Sequence, residues 1–337
     1  MPEVRIDPIN GLRMLVADGR AERPNGLLRV QPPPPIDLAE DPFAEGSEQQ
    51  TPPEVWADRP GGGAPDTPGW RVRAVPNKYP ALDQSFAGDG ELADPLGATR
   101  GMPNLHVKGP AHGAHEVIVN SPKPLQALAE FSRDELETAL GAWAVRSAAH
   151  ADRAAYVHVS LNEGAVAGST LPHTHAQIFA LDFVPPLIAR ERERMRAYFE
   201  HTQGRNLVED LLVEEVRAGE RLVAIDDHAA LIAPFASPTP YRLTVLPRRP
   251  EPLFHESEER GAGMLFTALR ALASHFGASP PLNLWVRTAP EGAESFSWRI
   301  EIAPRIVQPA AFELGTGAGI NPVSPETAAA ALKAALA

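Results

Sequence analysis

Twice along this chain of 337 residues, short β-type runs give way to a helix, a strand, a loop and a last strand. In the first pass, residues 70–75 and 115–119 alternate apolar and polar positions as half-buried strands do. Ser132-Arg133-Asp134-Glu135 then offers a capping box for an amphipathic helix reaching about residue 149. A strand over 156–161 and a second strand beyond a small-residue loop close the pass. The second pass runs through strands at 221–226, 230–234 and 241–247, a helix over 256–276, and strands at 283–287 and 296–303. A segment over 186–204, carrying Glu191, Arg192, Glu193 and Arg194, reads as the helical connector. An order written twice predicts an α+β protein of two similar units, each an antiparallel sheet with packed helices. The expected division is 1–185 and 186–337. Residues 31–69, with Pro32 to Pro35 and Gly61 to Gly63, interrupt the first unit as an irregular Pro/Gly-rich excursion at the surface.

The loop before the last strand of the first unit, Asn162 to Thr170, is rich in Gly, Ala and Ser. It leads into His173-Thr174-His175-Ala176-Gln177. In an extended strand, positions i, i+2 and i+4 share a face, so two imidazoles and a carboxamide are expected to point together beside a loop able to wrap phosphate. Such a set suits a histidine nucleophile attacking phosphorus; two histidines at i, i+2 also suit half of a metal site. At the matching place in the second unit stands Ser297-Trp298-Arg299-Ile300-Glu301-Ile302-Ala303, without either histidine. One active site per chain is expected.

His-x-His-x-Gln after such a loop resembles the signature of the galactose-1-phosphate uridylyltransferases, a branch of the histidine-triad superfamily. A related branch has a third histidine where Gln177 stands. Asp7-Pro8-Ile9-Asn10-Gly11 and Arg20-Ala21-Glu22-Arg23-Pro24 resemble the family's opening, and Pro76-Asn77-Lys78-Tyr79-Pro80-Ala81 its nucleotide-binding stretch. His115-Glu116-Val117-Ile118-Val119 resembles a central strand, and Phe312-Glu313-Leu314-Gly315-Thr316-Gly317 the sugar-phosphate-binding tail of bacterial members. The likeness implies two tandem histidine-triad-like domains, the first catalytic.

It also implies roles. His175 would be the nucleophile that takes a uridylyl group from UDP-glucose and passes it to a hexose 1-phosphate such as galactose 1-phosphate, in a ping-pong sequence. Its second ring nitrogen would donate to a backbone carbonyl of the same motif. Gln177 would donate its amide to a phosphate oxygen, and His173 would help position the strand. Gly168, Ser169 and Thr170 would bind phosphate, with Asn162 as a further phosphate or ribose contact. Arg20 and Arg23 would reach the nucleotide phosphates, and Asn77 the base or ribose. Phe312, Glu313 and Asn321 are candidates for the acceptor sugar. The same motif resembles nucleotide-sugar and dinucleoside-polyphosphate phosphorylases, which move adenylyl groups to phosphate. A paralogue that binds nucleotide without turnover is a third reading. The family's sites lie near a subunit interface, so a homodimer is expected, and the segment matching residues 31–69 packs near the active site or that interface.

One departure stands out. Many members carry a Cys-x-x-Cys pair that holds a structural zinc with two histidines, and this chain has no cysteine. Asp41 and Ala44 replace the thiolates and Pro124 the third ligand, leaving His173 alone, too few donors for a tetrahedral site. No metal and no cofactor are expected. Formal net charge is −12 with no long basic run, which argues against nucleic acid as partner. The absence of an 18-residue apolar run and of a signal-peptide core points away from membranes and to the cytoplasm.

Overall fold

The computed structural model describes residues 1–23, 26–86 and 105–337. The first half contributes β1 (Glu3–Ile6), β2 (Arg13–Val16), β3 (Trp56–Asp58), β4 (Val72–Pro76) and β5 (Gly113–Val119). Helix α1 (Arg133–Ala151) follows, then β6 (Tyr156–Glu163) and β7 (His175–Leu181). Two helices, α2 (Pro186–His201) and α3 (Leu207–Ala218), connect to the second half. There β8 (Leu222–Ile225), β9 (Ala229–Ile232) and β10 (Leu243–Pro247) precede α4 (Ala262–Phe276), β11 (Leu282–Arg287) and β12 (Arg299–Pro304). The chain ends with α5 (Ala311–Thr316), β13 (Ile320–Asn321) and α6 (Pro325–Leu336).

Ten strands form one antiparallel sheet in the order β3-β4-β5-β7-β6-β11-β12-β10-β9-β8. Inward from either edge the order is alike: three strands in sequence, then a pair whose later strand lies outside the earlier one. The pairs meet at β6 and β11, which are hydrogen-bonded antiparallel. The repeated element order thus occupies a single sheet.

Alternation along the strands gives the sheet two unlike faces. Ala74, Ile118, Ala176, Leu161, Leu284, Ile302 and Leu243 form one cross-strand row. All are buried in the main core beneath α1, α4 and α6. Truncating any of the leucines to Ala would cost about 2–5 kcal/mol. The neighbouring row, on the other face, reads Val75, Val117, Gln177, Ser160, Trp285, Glu301, Thr244 and Ile232. Its polar centre is where chemistry can be placed.

Local sequence explains the elements. Ser132 caps α1: its hydroxyl accepts from Glu135 N–H at 3.3 Å, and the Glu135 carboxylate accepts from Ser132 N–H at 2.8 Å. The second long helix starts at Ala262, after a 3-10 turn at Phe254–Glu256, six residues later than its apolar pattern suggests. Residues 31–69 are not merely a surface loop. They supply edge strand β3, and Asp41, Phe43 and Glu48 within them are buried. The buried Arg73 guanidinium holds the excursion down through Glu54 (2.9 Å), Thr51 (2.7 Å) and Asp66 (2.5 Å). Among the described residues no helix is long and apolar enough to cross a membrane.

Candidate active site

A cleft of about 350 Å³ lies on the polar face, lined by Phe43, Thr51, Asn77, Val117, Thr170, His175 and Gln177 among others. Strand β7 delivers His175 and Gln177 two residues apart, hence on one face. The strand begins only at His175, and His173, two residues earlier, is not among the residues lining the cleft. Its side chain is fully buried, with Nδ1 2.7 Å from Asp41 Oδ2 and Nε2 2.8 Å from Ser121 O. His173 therefore does not reach the cleft, and these bonds are those of a residue that positions the strand. They tie the 41–43 turn to the root of β7, where the Phe43 ring packs 5.1 Å from that of His175. Burial alone would raise the Asp41 carboxyl, but the bonds from His173 and the Phe43 N–H bring it below its usual value.

His175 Nδ1 lies 2.8 Å from His173 O. A carbonyl oxygen only accepts, so Nδ1 carries the proton and Nε2 keeps its lone pair. Burial lowers the imidazole's pKa, and the bond to His173 O opposes this. The ring is thus held as a free base of fixed tautomer, the state a nucleophile needs.

Thr174 faces the other way. Its hydroxyl donates to Glu163 Oε1 (3.0 Å), which also accepts from Leu128 N–H (2.6 Å). Burial pushes the Glu163 carboxyl up to about 8 despite these two bonds. Burial thus favours the protonated carboxyl behind β7.

The loop before β7 is folded on itself. Gly164 has φ of 82°, and a Cβ there would come within 3.0 Å of Pro281, so glycine allows both the turn and the close approach. Gly168 N–H and Ser169 N–H donate to Ala165 O and Gly164 O, and the Ser169 hydroxyl to Leu171 O at 2.6 Å. Their donors are engaged inside the loop, and of the three loop residues expected to bind phosphate only Thr170 lines the cleft. Asn162 is bonded across the seam, its Oδ1 accepting from Asn283 Nδ2 at 2.7 Å.

The remaining candidates divide. Asn77 lines the cleft. Arg20 and Arg23 are exposed and are not among the residues lining it. Phe312 is exposed on α5, while Glu313 accepts from Ala310 N–H at the start of that helix. Asn321 is buried and committed to structure: Nδ2 donates to Ser237 O and Thr239 O, and Oδ1 accepts from Val323 N–H. Asn321 is not among the residues lining the cleft.

Sequence reasoning passed over His115, whose Nε2 lies 2.9 Å from Gln177 Oε1. Nothing in the sequence gives the β5–β7 register, which is what brings it there. It also passed over Phe43, hidden inside an excursion that reads as loop.

Comparison with known proteins fits this geometry. Residues 72–185 match the profile of the galactose-1-phosphate uridyl transferase N-terminal domain, and residues 137–337 that of a domain of unknown function, DUF4921. The chain belongs to the galactose-1-phosphate uridylyltransferase family. Within this family of nucleotidyl-transferring enzymes, an ADP-glucose phosphorylase of Arabidopsis thaliana is 29% identical over 345 residues, covering 98% of this chain and 92% of that one. A galactose-1-phosphate uridylyltransferase of Thermotoga maritima is 27% identical over 251 residues, 68% of this chain and 78% of its own. The crystal structure of the Arabidopsis ADP-glucose phosphorylase with bound ADP-glucose aligns at a TM-score of 0.78 and 27% identity, over 99% of both chains. A uridylyltransferase structure shares the fold at a TM-score of 0.72 and 24% identity.

Proposed function

We propose that this chain transfers a nucleotidyl group from a nucleoside diphosphate sugar by way of a covalent adduct on His175. The supporting observation is the His175 tautomer: Nδ1–H is spent on His173 O, leaving Nε2 bare in the cleft. Nε2 attacks the α-phosphorus, the P–O bond to the sugar phosphate breaks, and the sugar 1-phosphate departs with the electron pair. The acceptor's phosphate oxygen then displaces Nε2 and restores the free imidazole. Gln177 offers a neutral N–H to the charge on the phosphoryl oxygens.

For the donor, the whole-length likeness to an ADP-glucose phosphorylase favours adenylyl transfer from ADP-glucose to inorganic phosphate. Uridylyl transfer from UDP-glucose to galactose 1-phosphate is the second reading, favoured by the profile over 72–185. Incubation with labelled ADP-glucose and UDP-glucose, followed by peptide mapping, decides between them. An acid-labile adduct on His175 that phosphate discharges supports the first; discharge by galactose 1-phosphate alone supports the second. A chain that binds nucleotide and forms no adduct with either is the non-catalytic paralogue.

The zinc implied by the family does not fit. Both nitrogens of His173 are engaged, by Asp41 and by Ser121 O, and Ala44 and Pro124 bring no side-chain donor. We infer that the Asp41–His173 contact fastens the 41–43 turn where the metal would; about one tightly held zinc per chain in elemental analysis would overturn this. Phe312 and Glu313 lie outside the cleft, so a homodimer in which they serve the partner's site is also proposed. A monomer by light scattering, at full activity, excludes it.

A further inference from the structure

A primary amide has an oxygen at one end and N–H at the other, and a half-turn exchanges them. Gln177 can serve a phosphate only if its nitrogen faces the cleft, so something must hold the carboxamide one way round.

Three bonds supply that constraint. Ala81 N–H donates to His115 Nδ1 at 3.1 Å. A backbone N–H can only donate, so Nδ1 is bare and the neutral ring carries its proton at Nε2. That Nε2 has two amides nearby: Gln177 Oε1 at 2.9 Å and Asn77 Nδ2 at 3.0 Å. Asn77 is itself oriented, its Oδ1 accepting from Tyr79 N–H at 2.8 Å. It therefore offers His115 no acceptor and stands as a donor facing a donor, so the proton goes to Gln177 Oε1. The imidazole is kept in place by stacking on Phe179, with ring centroids 4.0 Å apart and planes at 25°. The register makes this a cross-strand effect: His115 pairs with Phe179 and Val117 with Gln177, all on the polar face. Burial lowers the pKa of the His115 ring, with the Gln177 bond opposing.

We propose that His115 is the positioning residue for Gln177: its Nε2–H holds the carboxamide oxygen, so that the amide N–H groups face the phosphoryl oxygens in the cleft. This rests on the nucleotidyl-transfer reading above. His115 touches no reacting atom in it; it sets which end of Gln177 does. The chain from Ala81 N–H through His115 to Gln177 carries orientation from the nucleotide-binding stretch to the catalytic strand.

The test uses single-turnover formation of the His175 adduct in the full chain. His115→Phe keeps the ring stack on Phe179 and removes the donor; His115→Gln places an amide N–H near the former Nε2. Losing an oriented donor to a phosphoryl oxygen should slow adduct formation by roughly 10–100-fold. The KM of His115→Phe should stay within about threefold of wild type, because the donor acts mainly in the transition state. His115→Gln should recover most of the rate. On a Gln177→Ala background, His115→Phe should add less than about a twofold effect, as expected for residues acting through one another. A His115→Phe rate within twofold of wild type, or full additivity with Gln177→Ala, overturns the proposal. One measurement needs no substrate: the imidazole ¹⁵N resonances of His115 should show Nδ1 bare and Nε2 protonated. The opposite tautomer refutes the proposal even if the adduct forms. Failure of wild type to form any adduct refutes the transfer reading instead, and the tautomer still decides how Gln177 is held.

Discussion

Strands β7 and β12 stand at corresponding places in one sheet, each next to an inner strand at the β6–β11 seam. They share a cross-strand row in which Gln177 and Glu301 are equally far from the seam. Three strand spacings, about 14 Å, separate them. Around β7 the polar face is open to a cleft, and His175 is neutral with one lone pair unspent. Around β12 the same face is filled with paired charge. Arg299, fully buried, donates to Glu191 at 2.7 Å and Glu301 at 2.8 Å. Arg242 donates to Glu301 at 3.0 Å. Burial would raise Glu301, but Arg242, Arg299 and Arg287 bring it down to about 2. A cavity of about 280 Å³ remains beside this network, roofed in part by Ile9, Leu12 and Phe235. One scaffold position thus serves two ends: an imidazole facing a cleft, for which nucleophilic attack is proposed, and ion pairs that hold α2 to the sheet.

The comparison predicts opposite costs for equivalent damage. His175→Ala should abolish adduct formation, since the atom that carries the nucleotidyl group is gone, with the unfolding midpoint almost unmoved. Arg299→Met should do the reverse, because breaking a buried ion pair costs about 3–5 kcal/mol. Its transfer rate per folded molecule should stay within a few-fold of wild type. Denaturation curves beside single-turnover rates read both, and a large rate loss in Arg299→Met would break the comparison.

A second contrast lies on the apolar face. Glu163 is paired across the seam with Leu282, so a carboxyl sits level with a hydrocarbon. Its pKa is about 8 in the fold against an ordinary 4.5. Between those values unfolding releases a proton. Stability therefore falls as pH rises from about 4.5 to 8, and is full below that window. Glu163→Gln, which keeps an acceptor for Leu128 N–H and Thr174, should flatten the dependence and raise the melting temperature by several degrees at pH 8. An unchanged pH slope would refute a protonated Glu163.

A smaller effect belongs to His175 itself. Since burial depresses its pKa, adduct formation should stay level as pH drops through 6.5 and decline only below. An acid limb centred at or above 6.5 would show a solvated ring. Smallest of all is Asn283→Ala. Asn283 Nδ2 donates to Asn162 Oδ1 and, at 2.8 Å, to Ala167 O, so its loss should loosen the loop. A rise in KM of about two- to threefold is expected, worth less than 1 kcal/mol.

Much of this was legible in the sequence, and the exceptions share a cause. Helix α1 could be read from the Ser132–Glu135 capping box, and β7 from an apolar run after a small-residue loop, because those signals are local. The three-stranded sheet of β1, β2 and β13 was not. Its strands are two to four residues long, and Asn321 pairs with Val16 from the far end of the chain. Helix α6, an alanine-rich run capped by Ser324, was not read either. In the site, His175 and Gln177 announced themselves by spacing. The burial of His173 was not legible, since its partner Asp41 lies 132 positions away. His115 needed a register, which turns on which edges meet.

The β6–β11 seam has a consequence for how this gene product can be divided. Each five-stranded set ends at a strand whose N–H and C=O groups are satisfied by the other set. Cut between them, either fragment would present a long, regular edge ready to pair with any extended chain, including its own copies. Each half therefore covers the sheet edge that the other would otherwise expose. Severed halves should clump when made separately, and dissolve when made together.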